Sequence, residues 1–481
     1  MRNTLQNKDR DLDTICAIST PQGVGGISVI RVSGPEATAL TRKICDFFPL
    51  KPESHRAYYG HLSDPRTASV VDEVVALYFQ KGRSFTAEDT VEISCHGNPS
   101  IAREILSLLT SHGGRIADRG EFTYRAFMNG RIDLVQAESV LSLIESQSKA
   151  AAMQSLRQLQ GDLSDELVKI EDILVWCLAH LEASIDFSSE GIEVVKQSDL
   201  ETKMGDLKGK IDKLVKSFQQ GRLIKDGLKV VLTGIPNVGK SSLLNLLVEE
   251  DRAIVTPVPG TTRDVIEAST NVQGLKVNFV DTAGLRVSQD MVEKIGIEKS
   301  YLAQRGADAV FFVFDSSNSL SEEELKELAD LSESNLYLIG NKRDQGELDI
   351  EARRIAVLKQ VSQSIFFKDL PGFCDKLKER VLIVSALDKK DGEVIRANLV
   401  KRLEVEQFED QAVLFQARHY EKLSVASRNM ERSLVLLRQQ ASPEFLALEM
   451  KEALLSVQDT LGKRFDDDVL DRVFKEFCIG K

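Results

Sequence analysis

One loop in the middle of the chain has the residue types and the spacing that bind the phosphates of a nucleotide. Gly234 and Gly239 bracket four residues, and Lys240 and Ser241 follow directly, which gives the spacing G-x-x-x-x-G-K-S. The glycines allow backbone N–H groups to turn toward phosphate oxygens at the start of the next helix. Lys240 adds a mobile positive charge for the β- and γ-phosphates, and the Ser241 hydroxyl is a ligand type for Mg²⁺. A predicted strand precedes this loop and a predicted helix follows it, which favours a phosphate-binding loop over an ordinary glycine-rich turn.

A second polar motif follows a predicted strand at 277–280. Asp281-Thr282-Ala283-Gly284 places a carboxylate near the expected Mg²⁺ and a glycine N–H where it would contact a γ-phosphate. The next residue, Leu285, stands where many small GTPases have a glutamine that orients the attacking water, and leucine cannot do this. Another group must therefore orient the water. Asn237, in the phosphate-binding loop, offers a neutral carbonyl oxygen that suits a monovalent cation.

The segment Asn341-Lys342-Arg343-Asp344, after a predicted strand at 336–339, indicates which base is bound. Guanine presents two donors, N1–H and the 2-amino group, that one carboxylate can accept together. Adenine has an acceptor at N1 and would leave Asp344 unpaired. Ser385-Ala386-Leu387, after a predicted strand at 381–384, supplies a backbone N–H for the guanine carbonyl. These motifs in this order predict a GTPase.

Composition sets limits on the other functions. The 481 residues are 42% hydrophobic and 28% charged, which is typical of globular proteins and allows about three domains. A net charge of −12 argues against a broad nucleic-acid surface, so an RNA partner would need a local basic patch. The six cysteines include no C-x-x-C pair, which argues against a zinc site or a disulfide framework. No apolar run approaches the length of a membrane span, so we expect a cytoplasmic protein without membrane contact.

Hydrophobic periodicity predicts a multidomain protein of mixed class. Residues 1–127 are predicted to be α+β, with strands at 14–20, 26–32, 70–79 and 90–95 and helices at 35–47 and 100–111. Residues 128–224 are predicted to be helical. Residues 225–388 alternate strands with helices, which indicates a mainly parallel sheet, and the predicted strands are at 230–232, 277–280, 309–314, 336–339 and 381–384. Residues 389–481 are again predicted to be helical. The nucleotide domain therefore interrupts one discontinuous helical domain.

At the level of whole motifs, the chain resembles the bacterial MnmE (TrmE) family of tRNA modification GTPases. The nucleotide-domain motifs that carry the resemblance are GIPNVGKSSLLN at 234–245, GTTRD at 260–264, DTAGLR at 281–286 and NKRD at 341–344. Outside that domain they are GGISVIRVSG at 25–34, SFTAEDTVEISCHG at 84–97, GEFTYRAFMNGRIDLVQAE at 120–138 and the terminal FCIGK at 477–481. Other GTPases share the phosphate-binding loop but lack these N-terminal and C-terminal motifs.

The resemblance implies a specific architecture and activity. It implies an N-terminal α+β folate-binding and dimerisation domain, a discontinuous helical domain and an inserted Ras-like P-loop GTPase domain. The family adds a (carboxymethyl)aminomethyl group to carbon 5 of the wobble uridine of certain tRNAs. It acts as a homodimer with the flavoprotein MnmG, in a heterotetramer, and uses 5-formyl- or methylene-tetrahydrofolate. The resemblance also implies that GTP hydrolysis requires Mg²⁺ and K⁺.

The resemblance assigns roles in the nucleotide site residue by residue. Ser241 and Thr262 would hold Mg²⁺, and Asn237, Thr256, Val258 and Thr261 would hold K⁺. Glu293 would position the attacking water indirectly and would be catalytic together with Asn237 and Lys240, although its type and place alone are typical of a solvated helix residue. The implied nucleotide contacts are Gly234, Asn237, Val238, Gly239, Lys240, Ser241, Ser242, Thr256, Thr261, Thr262, Asp281, Thr282, Ala283, Gly284, Asn341, Lys342, Asp344, Ser385 and Ala386.

The resemblance also assigns a folate site to Arg31, Glu92, Arg131 and Lys481. By type alone, charged residues beside strands most often cap or solvate a sheet edge, and that alternative stays open for Arg31 and Glu92. The family commonly has lysine where Arg131 stands, and arginine changes the donor geometry. Cys478 is expected either near the folate site or as a partly buried structural cysteine beside an apolar helix face.

Two functions remain to be compared. The first is a GTPase that drives tRNA modification, and the second is a GTP-dependent regulatory switch in ribosome assembly or RNA processing. The combination of Arg31, Glu92 and Arg131 favours the first, because a simple switch does not require a folate site.

Overall fold

A computed structural model describes residues 13–186, 196–248, 266–281, 306–331, 335–345, 349–367, 372–401, 412–465 and 467–481. The chain divides into two compact units, each made of segments that are distant in sequence. The first unit contains Met1–Glu145, Ser155–Val215 and Ala417–Lys481. The second contains Ser146–Gln154 and Lys216–Gln416.

A six-stranded sheet with the order β3-β4-β5-β2-β1-β6 forms part of the first unit. All neighbouring strands are antiparallel except β1 and β6, which are parallel. Alternation places Ile30 and Val32 in the core and leaves Arg31, between them, on the other face. The strands are β1 (Ile15–Ile18), β2 (Ile27–Ser33), β3 (Arg56–Ser63), β4 (Val70–Phe79), β5 (Thr90–His96) and β6 (Arg115–Ile116).

The four strands predicted in this region are confirmed, and two further strands were missed. The missed edge strand β3 has mostly exposed or half-buried side chains and therefore lacks a continuous apolar run. The other missed strand, β6, is only two residues long. The helices Ala37–Ile44 and Pro99–Ser111 pack buried side chains against the sheet and confirm both predicted helices.

Helices from the first half of the chain and from its C-terminal region complete the first unit. Asp162–Asp186 packs against Pro443–Leu461, which also packs against Ala417–Arg438. This packing of distant segments agrees with the predicted discontinuous helical domain. The other helices of this unit are Glu121–Met128, Leu134–Glu145 and Asp467–Lys475, and Lys149–Gln160 and Gln197–Asp226 have residues in both units. Among the residues that the structure describes, no helix is long and apolar enough to cross a membrane.

The second unit contains a six-stranded sheet with the order β12-β11-β10-β7-β9-β8. Five of its strands run parallel, and the edge strand β8 is antiparallel to β9. The strands are β7 (Leu228–Thr233), β8 (Ile266–Val272), β9 (Leu275–Asp281), β10 (Ala309–Asp315), β11 (Leu336–Asn341) and β12 (Val381–Ile383).

Alternate side chains of β10 enter two separate cores, one on each face of this sheet. Phe311 and Val313 belong to one core, and Val310, Phe312 and Phe314 belong to the other. The helices that accompany the sheet are Lys240–Val248, Glu322–Asp330, Ile350–Gln363, Phe373–Leu377 and Lys389–Lys401. The prediction of a mainly parallel sheet covered on both faces is therefore confirmed.

Candidate functional site

The phosphate-binding loop connects β7 to the helix Lys240–Val248. Gly234 and Gly239 have φ angles of +130° and +93°, in the region that favours glycine. A Cβ atom at Gly234 would collide with the carbonyl of Val313, and one at Gly239 would collide with the side-chain amide of Asn341. Close packing, against backbone at Gly234 and against a side chain at Gly239, therefore favours glycine at both positions in addition to the backbone conformation.

Lys240 is buried and turns back over its own loop. Its Nζ donates hydrogen bonds to the carbonyls of Gly234 at 2.7 Å and Ile235 at 2.8 Å. The predicted triphosphate would bring anionic acceptors to the same place. The Ser241 hydroxyl donates to Asp281 Oδ2 at 3.2 Å, so two oxygen groups predicted to lie near Mg²⁺ are neighbours in the structure.

Asn341 connects three of the predicted motifs. Its side-chain Nδ2 donates to the carbonyl of Val238 in the phosphate-binding loop at 2.9 Å. Its Oδ1 accepts the backbone N–H of Ala386 at 2.9 Å. Ala386 belongs to the segment 385–387, which is predicted to supply a backbone N–H for the guanine carbonyl. A guanine that binds at the Ala386 N–H would share this donor with Asn341 or displace Asn341 from it.

Asp344 and Ser385 are also brought together, because the Ser385 hydroxyl donates to Asp344 Oδ1 at 2.5 Å. Asp344 is exposed, as a carboxylate that accepts the donors of a base must be. Lys342 has a φ of +66°, and its Nζ forms an ion pair with Asp315 Oδ2 at 2.9 Å. Asn237, with a φ of +68°, is exposed on the phosphate-binding loop, and Ser242, in the helix that follows, is also exposed.

Several predicted residues cannot be placed in this geometry. The following lie outside the described residues: Thr256, Val258, Thr261, Thr262, Thr282, Ala283, Gly284 and Glu293. Their roles stay predictions.

The predicted folate residues Arg31, Glu92 and Arg131 line one cavity of about 260 Å³ in the first unit. Arg31 and Glu92 are directly opposed on β2 and β5, and Arg31 Nη2 lies 2.7 Å from Glu92 Oε1. The guanidinium carbon of Arg31 is 5.9 Å from the ring centre of Phe85 and 5.5 Å from that of Phe122. Charged groups beside aromatic faces suit a flat, polar heterocycle.

The C-terminal residues are close to this cavity. The backbone N–H of Phe122 donates to the carbonyl of Lys481 at 3.2 Å, and that of Gly120 donates to the carbonyl of Cys478 at 3.4 Å. Burial and, next, the positive charge of Arg31 lower the pKa of the Lys481 side chain. Cys478 is exposed, so the alternative of a partly buried structural cysteine is wrong.

The sequence prediction missed five residues that line this cavity and the buried Arg125, whose ion pairs lie nearby in the same unit. The other lining residues are Phe79, Arg83, Ser84, Phe85 and Thr90. The buried Arg125 contacts Glu88 Oε1 at 3.2 Å and Asp13 Oδ1 at 2.5 Å, and Glu88 in turn accepts the Ser33 hydroxyl at 2.7 Å. A charged residue within the apolar helix Glu121–Met128 was the available signal for Arg125.

A second cavity, of about 780 Å³, lies along β12 and includes no residue that was predicted for the nucleotide or folate site. Three arginines, Arg343, Arg354 and Arg380, are among its lining residues. Arg343 pairs with Asp388 and Asp391, and Arg354 pairs with Glu351.

Comparisons with known proteins give consistent results across the whole chain. The model for the MnmE helical domain matches residues 134–478, and that for the N-terminus of the GTP-binding protein TrmE matches residues 14–131. The tRNA modification GTPase MnmE of Bdellovibrio bacteriovorus is 54% identical, and the match covers 98% of each chain. That of Natranaerobius thermophilus is 39% identical over 98% of this chain and 99% of its own.

Among solved structures, a variant of Era from Aquifex aeolicus bound to GDP and aluminium fluoride matches with 22% identity and a TM-score of 0.27. The match covers 42% of this chain and 66% of that one, and with so low a TM-score we base no conclusion on it. The two family models and the whole-length relatives are sufficient. The chain belongs to the MnmE family of tRNA modification GTPases.

Proposed function

We propose that this chain is a K⁺-activated GTPase that works with the flavoprotein MnmG on the wobble uridine of certain tRNAs. Together they would add a (carboxymethyl)aminomethyl group to carbon 5, using the one-carbon unit of 5-formyl- or methylene-tetrahydrofolate. The observation that carries the proposal is that the predicted nucleotide residues and the predicted folate residues form two separate clusters in one chain. One unit has the guanine-nucleotide motifs at one edge of its sheet, and the other has Arg31, Glu92 and Arg131 around one cavity.

The nucleotide site would act mainly by positioning and by stabilising charge. Lys240 would move from its own loop carbonyls to the β- and γ-phosphates. Ser241 and Asp281 have hard oxygen atoms 3.2 Å apart, which fits an Mg²⁺ site, with Thr262 as the second proposed ligand. Bound Mg²⁺ would neutralise charge on the phosphate oxygens.

The attacking water needs a positioning group because Leu285 cannot orient it. We assign this role to Glu293, acting indirectly. Asn237 is exposed on the phosphate-binding loop and has a carbonyl oxygen of the type that K⁺ accepts. K⁺ held by Asn237, Thr256, Val258 and Thr261 would supply positive charge at the place where other GTPases insert an arginine.

A reduced folate would bind in the cavity around Arg31. Glu92 can accept hydrogen bonds from the N–H donors of a pterin ring, and Phe79 and Phe85 can pack against flat rings. Arg131 and Lys481 add positive charge that suits the carboxylates of a folate. The ion pair of Arg31 with Glu92 would hold the carboxylate in place before the ligand binds.

The proposal includes a homodimer, formed through the N-terminal α+β domain, that binds MnmG in a heterotetramer in the cytoplasm. The proposed domain limits are 1–127, 128–224, 225–388 and 389–481.

The test is nucleoside mass spectrometry of tRNA from cells that lack the gene of this chain. The carbon-5 aminomethyl-type wobble uridines should disappear on deletion and return with the wild-type gene. They should not return with Lys240→Ala. Unchanged wobble uridines after deletion would contradict the proposal and favour the regulatory switch in ribosome assembly.

A further inference from the structure

Asp391 lies between the two loops that are predicted to recognise guanine, although no nucleotide-binding motif of the chain includes it. It is in the first turn of the helix Lys389–Lys401 and is 7% exposed. Its Oδ2 accepts the backbone N–H of Ser385 at 2.6 Å. The same oxygen lies 3.0 Å from Nη2 of Arg343. One buried carboxylate oxygen therefore contacts both loops.

Arg343 connects the loops in two ways. It is the third residue of the Asn341-Lys342-Arg343-Asp344 segment, and its backbone N–H donates to the carbonyl of Val384 at 3.1 Å. Its guanidinium group reaches Asp391 and, at 3.1 Å, Asp388. The backbone of Arg343 therefore binds Val384, the residue before Ser385. Its side chain binds Asp391, which accepts the Ser385 N–H.

Ser385 receives contacts from both directions. Its N–H is held by Asp391, and its hydroxyl donates to Asp344 at 2.5 Å. The next residue, Ala386, lies in the segment predicted to supply a backbone N–H for guanine O6, and we assign that donor to the Ala386 N–H. Asp344 is predicted to accept from N1–H and the 2-amino group. Ser385 and Asp391 therefore help to fix the separation of these two recognition groups, together with Asn341, which accepts the Ala386 N–H.

The chemistry of the contact is suited to a positioning role. A carboxylate that accepts from both a guanidinium and a backbone N–H forms charge-assisted hydrogen bonds, which are stronger than neutral ones. Burial reduces the competition from water. Removing the carboxylate would leave the buried N–H of Ser385 and one side of Arg343 without this partner, and the loop could then move away from the base.

We infer that Asp391 is a positioning residue for guanine specificity. It holds the Ser385-Ala386 backbone in a fixed position relative to Asp344. The inference rests on the proposed binding of guanine nucleotides at this site. Asp391 does not touch the base. It determines whether the Ala386 N–H and the Asp344 carboxylate can contact one base at the same time.

The test compares GDP with 6-thio-GDP, which differs only in having sulfur, a weak acceptor, in place of O6. Affinities are measured by competition against a fluorescent GDP analogue. Wild-type protein should prefer GDP. In Asp391→Ala, GDP affinity should fall by about tenfold or more, while 6-thio-GDP affinity falls much less, so the preference for GDP shrinks. Equal losses for the two nucleotides, or no loss, would overturn the inference.

Asp388→Ala is the matched control, since Asp388 also pairs with Arg343 but its side chain does not accept the Ser385 N–H. This variant should keep the wild-type preference. If Asp391→Ala does not fold, Asp391→Asn provides the test, because its amide oxygen keeps the acceptor for Ser385 and loses the charge that attracts Arg343. We expect a smaller decrease in the preference, and an unchanged preference would overturn the inference.

The experiment separates this inference from the proposed function. A wild-type protein that does not prefer GDP to ADP would contradict guanine binding itself. A wild-type protein that prefers GDP, with Asp391 variants that keep the full discrimination against 6-thio-GDP, would contradict only the role of Asp391.

Discussion

Arg31 and Glu92 are paired directly across two antiparallel strands, and Nη2 of the arginine lies 2.7 Å from Oε1 of the glutamate at the wall of a cavity. Both side chains are partly shielded from water, with 17% and 25% exposure. The position is unusual for a charged pair, because the rings of both Phe85 and Phe122 lie close to the guanidinium carbon, with their centres at 5.9 Å and 5.5 Å. This combination supports a ligand site more than a solvated sheet edge.

Glu92→Gln should weaken the binding of 5-formyl-tetrahydrofolate by about ten- to a hundredfold, because a charge-assisted hydrogen bond is lost. Isothermal titration calorimetry would measure the change. GTP turnover without folate should stay at the wild-type rate. Glu73→Gln is the control, since Glu73 is on the neighbouring strand β4, does not line the cavity and is 46% exposed. Equal folate affinity in wild type and Glu92→Gln would contradict the assignment.

Glu293→Ala should reduce the rate constant of GTP hydrolysis by about a hundredfold or more, since the attacking water would lose its positioning group. The affinity for GTP should remain close to that of the wild type, because Lys240 and the glycine loop hold the phosphates. Single-turnover hydrolysis and equilibrium binding would separate the two effects. Glu298→Ala, five residues further along the chain, is the control. A normal hydrolysis rate in Glu293→Ala would rule out the proposed role.

Replacing K⁺ by Na⁺ at constant ionic strength should slow GTP hydrolysis, because a cage that fits one ionic radius binds the smaller ion less well. Steady-state phosphate release would measure the rates. Asn237→Ala should be slow in both salts, since it removes one proposed ligand of the ion. The same rate in K⁺ and Na⁺ for the wild type would refute a specific cation site.

Glu138→Ala should lower the free energy of unfolding by about 3–5 kcal/mol, since it removes the carboxylate that pairs with both Arg418 and the buried His419. Chemical denaturation would measure this loss. Glu145→Ala, at the exposed end of the same helix, should change stability by less than about 0.5 kcal/mol. If Glu138→Ala changed the free energy of unfolding as little as Glu145→Ala does, the cluster of Glu138, Arg418 and His419 would not stabilise the fold as predicted.

The same cluster predicts an acid dependence of stability. Burial alone would raise the pKa of Glu138, but His419 and Arg418 outweigh it and lower the pKa from 4.5 to about 2. The unfolded state therefore binds more protons between these values, and stability from this group is present above pH about 4.5. It should be lost as the pH falls from about 4.5 toward 2. The stability difference between wild type and Glu138→Gln should shrink over that interval, and a constant difference would contradict the shifted pKa.

The sequence predicted the central strands well because buried strands are continuous apolar runs that end at glycine or polar motifs. The strands β7, β10 and β11 have almost entirely buried side chains and were found on this basis. The edge strands β3 and β8 were missed. Edge strands expose one face and one row of backbone groups, so their sequences contain many polar residues.

The nucleotide site could be predicted because each motif is local and follows a strand of the same parallel sheet. Such strands place their carboxyl ends together, so order along the chain indicates proximity. Asp391 and Arg125 belong to no motif of this kind, although the position of Arg125 within an apolar helix is a weak signal. Their contacts depend on which charged groups the fold brings to them from elsewhere in the chain, such as Arg343 for Asp391 and Asp13 for Arg125.

The most direct test of the proposed function is reconstitution of the modification with purified components. The reaction would contain this chain, MnmG from the same organism, unmodified tRNA, methylene-tetrahydrofolate, glycine, Mg²⁺ and K⁺, and the wobble nucleoside would be measured by mass spectrometry. We predict a carboxymethylaminomethyl uridine product with GTP, and little product with a non-hydrolysable GTP analogue or with Glu92→Gln. The proposal would be contradicted if the non-hydrolysable analogue gave as much product as GTP. It would also be contradicted if GTP gave no product with this chain while the same MnmG was active with another member of the family.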